Sequence, residues 1–392
     1  MKNSRLSGFH RKRLEERIEE LKRLGVLDSD GAASLRTGGL ALDRADTLSE
    51  NVIGLHALPF SIATNFVVNG VDRLVAMSIE EPSVVAAASN AARLVREDGG
   101  FKAQVESHLM TAQVELRGVR DPKAASARLT GARERILELC RAHACDIESF
   151  GGGVRDLETR IIDLDGGEQR LVLHILVDCA DAMGANTLNT IAEKASALIA
   201  EIAGGEPGLR ILSNLADRRT VRASCRVLPG VLETYRGAGG GLPGDEIRDL
   251  VIEAWRFADS DPYRAATHNK GIMNGIDAVA VATGNDWRAV EAGAHAFASM
   301  TGRYRSLSRW SKGADGALEG ELVLPMAVGT VGGMTRYHGC AALALRLMEV
   351  GGARDLEMTM ACAGLATNLA AILALATEGI QRGHMRLHGR RG

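Results

Sequence analysis

Aromatic side chains are scarce in this chain, at 4% of 392 residues, while glycine alone contributes 45. Helices rich in Ala and Gly with few large rings pack closely through small side chains. Charge of one sign is missing too. Forty-seven Lys and Arg nearly balance 49 Asp and Glu, and the sequence pI is about 6.6. No bulk positive field therefore steers the chain toward nucleic acid or an anionic membrane. No uninterrupted apolar run reaches the roughly 20 residues a membrane helix needs. The N-terminal MKNSRLSGFHRKRLEERIEELKRLG also lacks the apolar core of a signal peptide. A soluble cytoplasmic protein is the expectation.

Cysteines are few: Cys140, Cys145, Cys179, Cys225, Cys340 and Cys362 are scattered in a way that suits reduced thiols, not a disulfide framework. CRAHAC sets Cys140 and Cys145 near His143, but C-x4-C with one histidine is a poor zinc pattern, and no metal site is expected. A chain of this length has room for two or three domains and a large core.

What is present is patterned. Leu14, Ile18, Leu21 and Leu24 recur at helical spacing among charged residues, with Gly25 as the stop, so 9–24 reads as an amphipathic helix. RGAGGGLPGD (236–245) reads as a linker or mobile loop. It contains a literal G-x-G-x-x-G from Gly239 to Gly244, but no strand precedes it, and a dinucleotide fingerprint needs one. A better cofactor candidate spans 170–213. RLVLHILVD and LRILSNLAD are apolar runs of strand length, and between them Leu188, Ile191, Ala195, Leu198, Ile199 and Ile202 form a helical stripe capped by Asn186 or Thr187. Open amides at such a helix start beside Gly184 suit a phosphate. An ordinary capped helix has the same pattern.

Residues 261–298 concentrate polar groups. Arg264 presents a planar fork suited to a carboxylate, Lys270 a compact charge that can be aimed at one developing oxygen, and Asn269 and Asn274 add neutral donors. Asp286 follows the strand-like DAVAVAT and is either an N-cap or a functional acid. Glu80 and Glu81 precede Pro82 and an Ala-rich helix, which is an ordinary helix start or a proton-carrying pair. His384 and His388 lie one helical turn apart, a spacing common on surfaces.

The combination of blocks is more specific than any one of them. ENVIG (50–54), EEPSVVAAAS (80–89), DAMGANT (181–187), ILSNLAD (211–217), THNKGIMNGIDAVAVATGNDWRAVEAG (267–293) and GIQRGHM (379–385) resemble, in order and spacing, the class II 3-hydroxy-3-methylglutaryl-CoA (HMG-CoA) reductases. The resemblance runs from about residue 50 to 388. It implies an α+β fold: a large mixed helical and sheet substrate domain, 1–107 and 217–374, with an inserted small ferredoxin-like, non-Rossmann cofactor domain, 108–216. Residues 375–392 would be the remnant of a C-terminal flap. The implied reaction interconverts HMG-CoA with mevalonate and CoA by two hydride transfers in a homodimer with shared active sites.

Carried over by matching position, Glu81, Lys270, Asp286 and His384 are the catalytic residues. Ser83, Arg264, Asn274, Asn368 (in GLATNLA) and Asn214 would contact substrate, and Asp181, Met183, Gly184 and Asn186 the nicotinamide cofactor. Glu81 would exchange a proton with its pKa raised by a neighbouring Asp286, and His384 would protonate the departing thiolate. Asp146, as an acid at the ribose, implies NAD before NADP. The chain stops at Gly392, before the several tens of residues that usually follow the family's histidine, so slow turnover is expected. The alternative is a lid-deficient, non-catalytic binder of CoA ligands.

Overall fold

The computed structural model describes residues 3–235 and 241–377. The chain divides into two compact units, one of Met1–Val105, Val221–Leu324 and Thr330–Gly392, the other of Glu106–Thr220 and Pro325–Gly329. Helix and sheet are mixed throughout.

The first unit opens with helices α1 (Leu14–Arg23), α2 (Ser29–Thr37) and α3 (Leu42–Asp46). The amphipathic pattern of 9–24 divides into a short 3-10 turn and α1, which buries Ile18 and Leu21 but leaves Leu14 and Leu24 exposed. Strands β1 (Phe60–Val68) and β2 (Val71–Ser78) form an antiparallel hairpin. A turn at IEEPS then leads into α4 (Val84–Arg96), and the short β3 (Lys102–Val105) carries the chain out of the unit.

The second unit holds β4 (Leu109–Arg117), α5 (Pro122–Gly131), α6 (Arg133–Ala142), α7 (Cys145–Glu148), β5 (Gly153–Asp163), β6 (Gln169–Asp178), α8 (Ala185–Ala203) and β7 (Glu206–Leu212). Its sheet runs β5-β6-β4-β7 with antiparallel neighbours. Alternation decides which face is covered. Met110, Ala112, Val114 and Leu116 of β4 and Leu171, Leu173, Ile175 and Val177 of β6 join one core with Leu188, Ile191, Ala195 and Ile199 of α8. The two apolar runs seen in the sequence are β6 and β7, and β4 lies between them in the sheet.

The chain returns through β8 (Thr220–Val227), α9 (Pro229–Leu232), α10 (Gly244–Ser260), α11 (Pro262–Ala282), α12 (Trp287–Ala298), β9 (Ser308–Lys312), β10 (Leu318–Pro325), α13 (Gly339–Leu347) and α14 (Ala353–Thr377). A second sheet runs β3-β8-β10-β9. DAVAVAT is not strand-like: it ends α11 as helix through Ala282. Burial against neighbouring helices overrides the strand preference of its valines. Helices α11 and α14 pack so closely that a Cβ on Gly275 would lie 2.4 Å from the Ala363 carbonyl oxygen. Among the described residues α14 alone is long and apolar enough to cross a membrane, but 78% of its apolar window is buried inside the fold. Of the loop expected at 236–245, residues 236–240 lie outside the described residues.

Candidate active site

The turn between β2 and α4 is the first wall of the site. Ser83 holds φ 81°, a left-handed conformation that costs a residue with a Cβ. Its hydroxyl is buried without a hydrogen-bond partner and caps nothing, although Ser83 is the N-cap of α4. A strained backbone that leaves an orphaned hydroxyl is poor design for a plain helix start and good design for gripping a ligand. On the same turn, Glu81 accepts a 2.5 Å hydrogen bond from the Lys270 ammonium. α11, which carries Lys270, packs on β2 and so brings the two together. The Lys270 side chain is 58% exposed. A pair this open adds only about 0–1 kcal/mol to stability, so the fold has little use for it as a brace.

Lys270, Asn274 and Asp277 follow one face of α11 at helical spacing. Among the described residues neither the Arg264 guanidinium nor the Asn274 amide has a side-chain partner. Arg264 is half-buried and burial lowers its pKa, a position in which a cation welcomes a carboxylate.

Asp286 lies between α11 and α12. It caps α12, accepting from the amides of Arg288 and Ala289, and pairs with the Arg288 guanidinium at 3.1 Å. Those contacts outweigh desolvation and hold its carboxyl below the usual range. Within this chain its polar contacts are with α12, while the Glu81 carboxylate meets Lys270. Asn368 is buried in the core. Its Oδ1 accepts from Trp310 Nε1 and Ser308 Oγ, both at 2.9 Å, and its amide meets His268 Nε2 at 3.1 Å. Burial drives the His268 pKa down to about 3, so its ring stays neutral in this cluster. Asn368→Leu is expected to destabilise the protein by roughly 2–4 kcal/mol in chemical denaturation, because three buried groups lose a partner. A change in substrate KM at unchanged stability would contradict this. His384, His388 and the rest of 378–392 lie outside the described residues, as does the Asp146 side chain on α7.

The cofactor candidates gather at the end of β6. Ala180 adopts φ 49° and Gly184 φ 94°, and a Cβ on Gly184 would lie 2.2 Å from the Cys179 sulfur. Gly184, not Asn186 or Thr187, is the N-cap of α8, and no side chain caps it. The first amides of α8 are thus open donors, positively polarised and approachable. Asn186 is exposed, as is Asn214 at the end of β7. Two residues that the sequence did not single out hold this loop. His108 Nε2 bonds the Ala180 carbonyl oxygen at 2.9 Å. Arg219, fully buried, donates to the carbonyl oxygens of Ala182, Met183 and Val328. A pair of arginines after an apolar block was the available signal, and nothing local distinguished Arg219 from Arg218. Asp277 was also missed. A single acid inside the apolar GIDAVAVA was its signal.

Residues 13–389 match the family model described as hydroxymethylglutaryl-coenzyme A reductase. A 3-hydroxy-3-methylglutaryl-coenzyme A reductase of Archaeoglobus fulgidus is 45% identical over 390 residues, 99% of this chain and 86% of that one. A solved Streptococcus pneumoniae enzyme of the same name superposes with a TM-score of 0.91 at 43% identity, covering 98% of this chain and 90% of that one. A further Streptococcus pneumoniae structure, of a class II enzyme bound to NADPH in open conformations, gives a TM-score of 0.89 at 43% identity over 95% and 99% of the two chains.

Proposed function

Because the chain belongs to the hydroxymethylglutaryl-coenzyme A reductase family, in its class II branch, we propose that it interconverts HMG-CoA with mevalonate and CoA, using a nicotinamide cofactor, with Lys270 as the group that meets the reacting oxygen. The contact between Glu81 and Lys270 carries this reading. It also disfavours a non-catalytic binder of CoA ligands, which has no use for a solvent-facing acid and ammonium held together at the mouth of a strained turn.

The residues at the end of β6 fit a dinucleotide. The uncapped amides of α8 and the glycine at its N-cap suit a pyrophosphate, with Asp181, Met183, Gly184 and Asn186 around it. The antiparallel order β5-β6-β4-β7, with helices after its first and third strands in sequence, supports a ferredoxin-like cofactor domain close to 108–216. The flanking parts then form the substrate domain. When bound, the nicotinamide supplies or accepts the hydride.

The chain's own residues do the rest. Lys270 stabilises the oxyanion that forms as the thioester is reduced and again at the mevaldehyde stage, while Glu81 holds the ammonium and exchanges its proton. Arg264, Ser83 and Asn274 bind and orient the acid end of the substrate, Asn214 is a further substrate contact, and Asn368 supports α11 from the core. His384 protonates the departing CoA thiolate. Asp286 works in a homodimer with shared sites. Support for that assembly comes from ENVIG and the residues after it, where Ile53, Leu55 and Leu58 are exposed, an apolar strip of the sort that assemblies cover.

Incubating the chain with mevalonate, CoA and NAD should generate reduced cofactor, and its absence with both nicotinamides would overturn the reading. NAD is the proposed preference. The acid at position 146 accepts from a ribose 2′-hydroxyl and repels a 2′-phosphate, so kcat/KM should favour NAD over NADP by about tenfold, or 1.4 kcal/mol. The reverse order would refute the preference and leave the reaction standing.

A further inference from the structure

Two turns along α11 from Lys270, on the same face, Asp277 is half-buried and forms a hydrogen bond with Glu291 of α12. Two carboxyl groups that close must share a proton, since both cannot ionise side by side. The surroundings say which one keeps it. Glu291 also pairs with His295, one turn further along α12, at 2.6 Å to Nε2. On its other side His295 Nδ1 meets the Tyr304 hydroxyl at 2.6 Å. Tyr304 bonds Asn269, and Asn269 is anchored to the Arg305 carbonyl and the Leu307 amide. The imidazole holds Glu291 as the anion, with its pKa below the usual range. Burial and that anion push the Asp277 carboxyl far above it. The geometry agrees independently: Asp277 Oδ1 is buried with no hydrogen-bond partner, a state that costs a neutral acid little and a carboxylate a great deal. The ionisable groups acting most strongly on Asp277 are Glu291, from α12, and Lys270, from its own helix.

We propose that Asp277, Glu291 and His295 form a proton-sharing chain behind the active site, and that the neutral Asp277 it maintains is a positioning residue for Lys270. The inference rests on Lys270 being the catalytic lysine. An ionised Asp277 would be a second anion competing with Glu81 for the ammonium, and would weaken the charge that Lys270 presents to the substrate oxygen. A neutral one leaves that charge intact. The chain runs through side chains alone and is assembled from α11, α12 and the loop that follows.

The test compares the intact chain with its Asp277→Asn variant, a neutral isostere, in kcat and KM across pH and in Tm across pH. At pH 7 the variant should keep kcat within about threefold, since Asn copies the protonated acid. Toward alkaline pH the wild-type kcat should fall first, as Asp277 gives up its proton, with KM unmoved. Loss of more than about tenfold at pH 7, or alkaline limbs that superimpose, would overturn the proposal. The Tm arm needs no catalysis. A carboxyl whose pKa is raised by folding contributes stability that is full below its unfolded pKa of about 4. That contribution is lost as pH rises toward the folded value of about 9. Wild-type Tm should therefore decline relative to Asp277→Asn between those limits. Parallel Tm curves would refute the shared proton. A wild-type chain with no reductase activity would instead overturn the functional reading, and with it the role at Lys270, while the Tm curves still decide the proton.

Discussion

Replacing Lys270 with Ala is expected to lower kcat for HMG-CoA reduction and mevalonate oxidation by roughly 10²–10³-fold, about what removal of one well-placed oxyanion donor costs. Stability should hardly change. The side chain is more exposed than buried and its partner Glu81 is also partly exposed, so the ion pair is worth little to the fold. The paired expectation is that mevalonate and CoA still bind, because Ser83, Arg264 and Asn274 remain. Lys270→Arg should rescue poorly: a planar fork cannot place one compact charge where the ammonium sits. Glu81→Gln provides a check on the pair, keeping a hydrogen-bond acceptor for the ammonium while removing the exchangeable proton, so its loss should appear in kcat more than in KM. A Lys270→Ala enzyme with kcat within a few-fold of wild type would remove the central assignment.

The legible parts of this site were those in which one short segment carries both the local geometry and the chemistry. DAMGANT shows its strand end, its glycine and its helix start in a few residues, and the structure differs only in moving the cap from Asn186 or Thr187 to Gly184. The error there has a physical cause: side-chain capping preferences rank Asn and Thr high, but the turn needs a positive φ that glycine supplies. DAVAVAT was misread because alternating Val and Ala has no period that separates a strand from a fully buried helix. Asp286 left both its readings open, and in this chain the cap is visible. The buried cluster around Asn368 of GLATNLA was not legible, because the Trp310, Ser308 and His268 that consume its hydrogen bonds are 58, 60 and 100 residues away. Asp277 with Glu291, and Arg219 with the loop at 180–184, were illegible for the same reason. Their meaning lies in who meets them.

The second large effect belongs to Arg219. Its guanidinium is completely buried and donates to Ala182, Met183 and Val328 carbonyl oxygens at 3.1, 3.4 and 2.5 Å. Two of those carbonyls belong to the turn that sets up the α8 amides, and the third lies close behind it, where a Cβ on Gly329 would be 2.6 Å from the Met183 nitrogen. The arginine therefore fixes a backbone whose part-buried carbonyls would otherwise be unpaired, with a left-handed residue on either side. Arg219→Met keeps much of the volume and removes every donor. It should cost roughly 3–5 kcal/mol, since buried bonds to a charged donor are the strong ones and their acceptors are left stranded. That corresponds to a Tm lower by about 10 °C. Where the variant stays folded, a second effect follows: the turn no longer holds the α8 amides, so KM for the nicotinamide cofactor should rise at least tenfold while KM for HMG-CoA moves little. Arg219→Lys tells positioning from bulk stability. One ammonium reaches one carbonyl, so stability should recover further than cofactor KM does. Equal losses for both substrates, or unchanged cofactor KM in a folded Arg219→Met chain, would mean that the arginine braces the small unit without shaping its cofactor turn.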